Sequence, residues 1–261
     1  MSEPLLPERV VLVTGAATGI GEAISRRALT EGAFVMLHDR DPDVVKLAQG
    51  LGPSAAAVVA DLVDERAPFR IVEAVIGRFH RIDALVNNAA LTSRSNIDCA
   101  DAAHFDLMVR VNVRAPFLLI KEALPHFRRQ RRGVVLNVGS VNAYAGEPNL
   151  LVYSITKGAL MTLTRNLGDA LASEGIRVNQ INPGWTLTEN ERRLKQEEGL
   201  GTDWESRIPA KYAPSGRLFR PEEVAAHAVF WLSDASGPVS GSVYEIEQHP
   251  FIGRNPDKAA D

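Results

Sequence analysis

Seven short runs of apolar residues, most of them separated by longer stretches of helical periodicity, constrain this chain more than any other feature. Residues 10–13, 34–37, 56–59, 84–86, 134–138, 178–181 and 243–246 read as strands. They are largely apolar, interrupted only at Asn137, Asn179, Gln180 and Glu245, whereas a half-exposed strand would alternate. A strand of that kind is covered on both faces, which is the condition of a parallel sheet with helices packed above and below. The pattern therefore predicts an α/β fold: a single Rossmann-like, doubly wound parallel sheet of about seven strands, with ligands at the carboxyl ends of the strands. At 261 residues, one such sheet accommodates residues 1–261 as a single domain.

With 45% hydrophobic and 23% charged residues, the chain can bury a substantial core. A net charge of −3 gives no global reason to expect nucleic acid, whose binding requires a clustered basic surface. The one basic cluster, Arg128, Arg129, Arg131 and Arg132, ends a helical pattern, where cations suit the helix dipole. It also precedes its strand, at the end of the sheet away from the expected ligand. Cys99 is the single cysteine, which excludes an intramolecular disulfide or a cysteine-based metal centre and fits a reducing compartment. No basic-then-apolar leader opens the chain and no apolar run has the length of a membrane span, so the expectation is a cytoplasmic protein without membrane contact.

The turn from Thr14 to Gly21 follows the first strand and opens the first helix. Glycines at Gly15, Gly19 and Gly21, with Thr18 and Ile20 between them, let backbone approach a pyrophosphate while the helix N-terminus offers unpaired N–H groups. Such a turn alone also occurs for purely structural reasons; its position at the head of an alternating α/β chain favours a dinucleotide site. Asp39 ends the second strand, 18 residues beyond Gly21, where an acid meets the adenosine ribose hydroxyls and repels a 2′-phosphate. This favours NAD over NADP, although Arg40 beside it is the kind of residue that accepts the extra phosphate. Asp61, with Leu62 beside it, is placed either to accept from the adenine amino group or to cap a turn. Asn87 and Ala89 after the fourth strand either line the ribose or, for Asn87, tie neighbouring strands together.

Tyr153 and Lys157 begin a long helical pattern and lie four residues apart, so phenol and ammonium share a face. A nearby cation favours the phenolate and is expected to lower the phenol's pKa toward the working range. Ser140, just after the fifth strand, is placed to bond a substrate oxygen, and Asn112 in the preceding helix to hold a water that passes protons from Lys157 to solvent. No metal is required.

Taken together, the turn at Thr14–Gly21, Asn87-Asn88-Ala89, Asn112, Ser140, Tyr153 with Lys157, and Pro183-Gly184 resemble the short-chain dehydrogenase/reductase family over nearly the whole chain. The resemblance implies an Asn112–Ser140–Tyr153–Lys157 catalytic tetrad, with Lys157 also holding the nicotinamide ribose. It implies further that Thr188 bonds the carboxamide, that Pro183 and Gly184 also bind the cofactor, and that the protein is a homotetramer. Ala90 departs from the pattern, since the family commonly has glycine there. The stretch 140–143 and the ending Glu245-Ile246-Glu247-Gln248 resemble bacterial members acting on sugars, polyols and sugar acids.

Polar residues flank the expected site: Arg94, Asn142, Glu147 and Asn149, with Glu189, Asn190, Arg192 and Arg193 in a polar insertion at about 185–216 that reads as a lid. Groups of this kind demand partners when desolvated, which a polyhydroxylated substrate supplies. A C-terminal tail at 248–261 carries Arg254, expected to reach a substrate carboxylate at its own or a neighbouring site. Two other readings compete: an NADPH-dependent 3-oxoacyl-thioester reductase, and a non-catalytic dinucleotide-sensing regulator on the same fold.

Overall fold

The computed structural model describes residues 3–250. All seven expected strands form, in one sheet: β1 (Val10–Thr14), β2 (Phe34–Asp39), β3 (Ala55–Val59), β4 (Ala84–Asn87), β5 (Gly133–Val138), β6 (Ile176–Pro183) and β7 (Val243–Ile246). Every pairing is parallel and the order is β3-β2-β1-β4-β5-β6-β7. The chain winds outward from β1 to β3, returns to lay β4 on the other side of β1, and winds outward again to β7. That reversal between β1 and β4 opens a crevice at their carboxyl ends.

The connecting helices are α1 (Gly19–Thr30), α2 (Asp43–Leu51), α3 (Ala67–Phe79), α4 (Ala102–Val109), α5 (Ala115–Gln130), α6 (Asn142–Ala145), α7 (Leu151–Ala170), α8 (Glu189–Glu197) and α9 (Pro221–Leu232). Alternate residues of each strand enter different cores, which is why the strands carry no polar alternation. Val11, Val13 and Leu37 meet Ile24 and Ala28 of α1 and Val224 and Val229 of α9. Val10, Leu12 and Met36 meet Ile71 of α3 and Leu119 and Phe127 of α5 on the opposite face. Each large side chain so buried contributes roughly 1.5–3 kcal/mol, so both faces hold the sheet rigid beneath the crevice.

The basic cluster lies where expected. Arg128 closes α5 and pairs with Glu174 at 2.6 Å, while Arg132 pairs with Asp234; both stand at the amino end of β5. The insertion after β6 is polar in composition yet carries its own small core, in which Trp204, Ala213 and Leu218 pack with Trp185, Leu187 and Ile208. The rings of Trp185 and Trp204 stack at 5.6 Å and 19°. Among the described residues no helix is long and apolar enough to cross a membrane. Of the tail, residues 248–250 are described; Gln248 accepts from the Ser215 amide and donates to the Arg217 carbonyl, which fastens the end of β7 to the end of the insertion. Arg254 lies outside the described residues.

Candidate active site

The crevice deepens into a cleft of about 820 Å³ running from the end of β2 to the insertion, within the size range of small-ligand and cofactor sites. At one end stands the glycine turn. Gly15 (φ +65°) and Gly19 (φ +61°) adopt the left-handed conformation that side chains resist. A Cβ on Gly15 would lie 2.7 Å from Ala89 Cα, and one on Gly21 would lie 2.0 Å from the Gly15 carbonyl oxygen. Asn88 fixes the same turn by donating to the carbonyls of Thr14 and Gly15, both at 2.9 Å. Thr14 in return accepts from the amides of Asn88 and Ala89. The first turn of α1 thus faces the cleft with Gly15, Thr18, Gly19 and Ile20 on its wall.

Asp39 also lines the cleft. One of its oxygens accepts from the Ala17 amide at 3.0 Å and the other from the Asp41 amide at 3.1 Å, so the carboxylate braces the turn as well as facing the site. Asp61 lines the wall too and accepts from the Val63 amide, so it caps the turn that follows β3. Leu62, Ala89 and Ala90 complete this end. His38, buried beneath, offers Nε2 to the Ala60 carbonyl, and its Nδ1 has no protein partner. A cradle that any Cβ would fill, a helix N-terminus, an acid and an unpartnered ring nitrogen fit a nicotinamide dinucleotide.

At the other end the cleft is lined by Ser140, Asn142, Tyr153, Lys157, Pro183, Gly184 and Thr188. The Tyr153 phenol is hydrogen-bonded to the Ser140 hydroxyl, whose oxygen also accepts the Asn142 amide at 3.2 Å. Asn182 holds Ser140 by accepting its backbone amide. One turn along α7, Lys157 donates to the Val138 carbonyl at 2.6 Å and its ammonium stands 5.5 Å from the Tyr153 ring centre. Burial pushes the phenol up to about 12, against opposing pulls from the Ser140 hydrogen bond and the Arg94 guanidinium, while Glu191 adds to the rise. Burial alone lowers Lys157 to about 8. The expected lowering of the phenol is therefore reversed in the protein itself, because desolvating a phenolate exceeds the opposing pulls on it.

Several expected placements change. Asn87 does not line the cleft; it donates to Asn137 of β5 at 2.9 Å and ties strands. Gly21 stands behind the turn, where it allows the backbone to close, and is not on the wall. Asn112 lies in a π-helical segment, Arg110–Arg114, between α4 and α5, a local widening common at functional sites. Its side-chain oxygen accepts the Leu91 amide and its nitrogen donates to the Leu91 carbonyl and Thr156. That amide pins the loop after β4 to α7. Asn149 is exposed and meets Ser95 only through its backbone carbonyl. Glu147 and Arg94 line the cleft, but Arg94 is bonded to the insertion, donating from Nε to Glu198 at 2.9 Å. Residues on the wall that sequence reasoning passed over include Asn88, Trp185, Glu191, Lys195, Glu247 and His249. The four-residue spacing of Glu191 and Lys195 was the available signal for one of these pairs.

A family model described as enoyl-(acyl carrier protein) reductase matches residues 15–248. An uncharacterised oxidoreductase of Thermotoga maritima is 36% identical over 247 residues, covering 92% of this chain and 96% of the relative. Gluconate 5-dehydrogenase of Gluconobacter oxydans is 32% identical over 240 residues, covering 90% and 92%. Among solved structures, 3-ketoacyl-(acyl-carrier-protein) reductase of Brucella melitensis complexed with NADH superposes with a TM-score of 0.82 at 32% identity, covering 93% of this chain and 98% of that one. A Beutenbergia cavernae structure assigned as an NAD(P)-dependent gluconate 5-dehydrogenase, with NADP at low occupancy, superposes with a TM-score of 0.84 at 31% identity, covering 94% and 98%. The chain belongs to the short-chain dehydrogenase/reductase family and is an NAD(P)-dependent alcohol/carbonyl oxidoreductase.

Proposed function

We propose that the protein uses NAD to interconvert a secondary alcohol and a ketone on a sugar, polyol or sugar acid, with Tyr153 as general acid and base. The observation that carries this reading is the convergence of the Tyr153 phenol, the Ser140 hydroxyl and the Lys157 ammonium at one end of a cleft whose other end is the glycine turn. Gly15, Thr18, Gly19 and Ile20 would hold the pyrophosphate, Asp39, Asp61 and Leu62 the adenosine, and Pro183, Gly184, Thr188 and Lys157 the nicotinamide riboside. When bound, the coenzyme supplies the hydride acceptor and, in its oxidised form, a positive charge that favours the phenolate.

In the oxidising direction Tyr153, ionised under the positive charge of the oxidised coenzyme, would take the substrate hydroxyl proton at its phenolate oxygen. Ser140, already bonded to that oxygen and steadied by Asn182 and Asn142, orients the substrate oxygen. Proton transfer by a positioned side chain supplies about 10²–10⁴-fold of rate. Asn142, Glu147, Asn190 and His249 around the mouth offer the donors and acceptors that a chain of hydroxyls requires, and gluconate 5-dehydrogenase is among the relatives. NAD is favoured by Asp39; Arg40, on the same wall, is the feature that opposes it. Exposed Phe105, Phe117, Phe230 and Tyr244, with β7 at a sheet edge, support assembly into a homotetramer.

A second reading is reduction of a 3-oxoacyl thioester with NADPH; the Brucella melitensis relative favours its substrate class, while the coenzyme in that structure is NADH. Initial rates with NAD and NADP on a panel of sugars, polyols and aldonates, and with the reduced coenzymes on an acetoacetyl thioester, separate the two. Tyr153→Phe is expected to bind coenzyme and lose turnover on whichever substrate responds. Undiminished turnover refutes the mechanism.

A further inference from the structure

A line of buried polar side chains crosses the sheet and ends at Ser140. Asn87 of β4, Asn137 of β5 and Gln180 of β6 stand in register on three neighbouring strands. All three are buried, as are Thr164 of α7 and Asn182, two residues beyond Gln180 on the same face of β6. Asn87 Nδ2 donates to Asn137 Oδ1 at 2.9 Å, and Asn137 Nδ2 donates to the Thr164 hydroxyl at 2.8 Å. That hydroxyl, shared with the Leu160 carbonyl, reaches Gln180 Oε1 at 3.0 Å. Gln180 Nε2 donates in turn to Asn182 Oδ1 at 2.7 Å, and the same oxygen accepts the Ser140 amide at 3.1 Å. Gly139 makes room for the junction, since a Cβ there would lie 2.0 Å from Asn182 Oδ1 and 2.3 Å from Gln180 Nε2. Apolar side chains would fill this space without the cost of burying amides.

We propose that Gln180 is a positioning residue for Ser140, acting through Asn182. The inference rests on Ser140 orienting the substrate oxygen. A backbone N–H only donates, whereas a side-chain amide presents either an oxygen or a nitrogen, so Asn182 holds Ser140 only with its oxygen turned toward it. Gln180 Nε2 is a second donor aimed at the same point and selects that orientation; the reversed amide would set its nitrogen against two donors. The segment leaving β5 depends on this choice at one residue. Gly139 and Val141 donate to the backbone carbonyls of Ile181 and Pro183, while Ser140 between them donates to a side chain. Gln180 itself is buried behind the cleft wall, so its effect on the site passes through Asn182.

Deuterium exchange of the Ser140 amide, resolved by residue with NMR, reads the contact without substrate or turnover. Gln180→Met, similar in length and lacking the donor, is expected to speed that exchange by up to about tenfold, the equivalent of one neutral hydrogen bond, and to leave Gly139 and Val141 unchanged. On the responding substrate kcat should fall by about tenfold, short of the ~10²-fold that a 1 Å misplacement costs, with the coenzyme Kd unaltered. Asn182→Asp keeps an oxygen before both donors and should stay near wild type in exchange and kcat, while Asn182→Leu should lose at least as much as Gln180→Met. Unchanged Ser140 exchange in Gln180→Met overturns the inference, and so does accelerated exchange with kcat intact. Acceleration spread equally over Gly139, Ser140 and Val141 also overturns it, because Gln180 would then merely support the sheet. An Asn182→Asp protein no better than Asn182→Leu has the same force. Failure of the functional reading is a separate result, visible as turnover retained by Tyr153→Phe, and leaves the exchange measurement standing.

Discussion

Replacing Lys157 by methionine is expected to make the protein more stable and less active at once. Lys157 is 3% exposed, and burial lowers its pKa from 10.5 to about 8. At about 1.4 kcal/mol per pH unit, carrying that charge disfavours the folded state by roughly 3 kcal/mol near neutral pH. Methionine, of similar length, removes the charge. It also leaves the Val138 carbonyl without the donor that reaches it at 2.6 Å, a loss of about 1–3 kcal/mol. The balance favours the variant by ~1 kcal/mol, or roughly 2–4 °C in Tm for a chain of this size. The sign of the pH dependence follows from the direction of the shift. Between about pH 8 and 10.5 the unfolded chain still holds the proton that the folded protein has released, so raising pH through that window stabilises the wild type relative to its unfolded state. The advantage of Lys157→Met should therefore be largest near pH 7, shrink to nothing near about pH 9 and be reversed by about pH 10.5, where only the lost hydrogen bond remains. Thermal unfolding of both proteins across that range, with turnover measured alongside, is the assay. A variant less stable than wild type near neutrality, by an amount that does not change with pH, would refute the idea that Lys157 is held charged against its burial.

Gly21→Ala places a Cβ 2.0 Å from the Gly15 oxygen and 2.5 Å from Asn88 Nδ2; it should lose about 1–3 kcal/mol of stability through overpacking and bind NAD at least about tenfold more weakly by calorimetry, a tenfold change being 1.4 kcal/mol. Gly77→Ala, inside α3 with open space around the added carbon, should instead gain about 0.5–1 kcal/mol in the same unfolding experiment and leave NAD binding unchanged. Ser140→Ala removes the hydroxyl bonded to the phenol; kcat on the responding substrate should fall on the order of 10²-fold with the coenzyme Kd unaltered. A fall in binding instead of kcat would make Ser140 a cofactor contact.

What the chain order could show was decided by how local each signal is. The strands were legible because burial on both faces writes a largely apolar run, and Tyr153 and Lys157 because helical spacing alone puts them together. Strand parity decided between the two readings of Asn87. As the last residue of β4, in register with Asn137, it turns its amide along the sheet, while Asn88, one step later, reaches the glycine turn. Asn112 and Arg94 were recognised as polar residues near the site, but their partners, Leu91 and Thr156 for one and Glu198 and Glu191 for the other, are remote in sequence. The phenol shows most clearly why distance matters. Its neighbour four residues away argues for a lowered pKa, whereas the walls that dehydrate it come from the loops after β4, β5 and β6 and together raise it to about 12. Desolvation belongs to the assembled cleft and not to any spacing, so a motif can identify the proton carrier without revealing how much the rest of the site must do to ionise it.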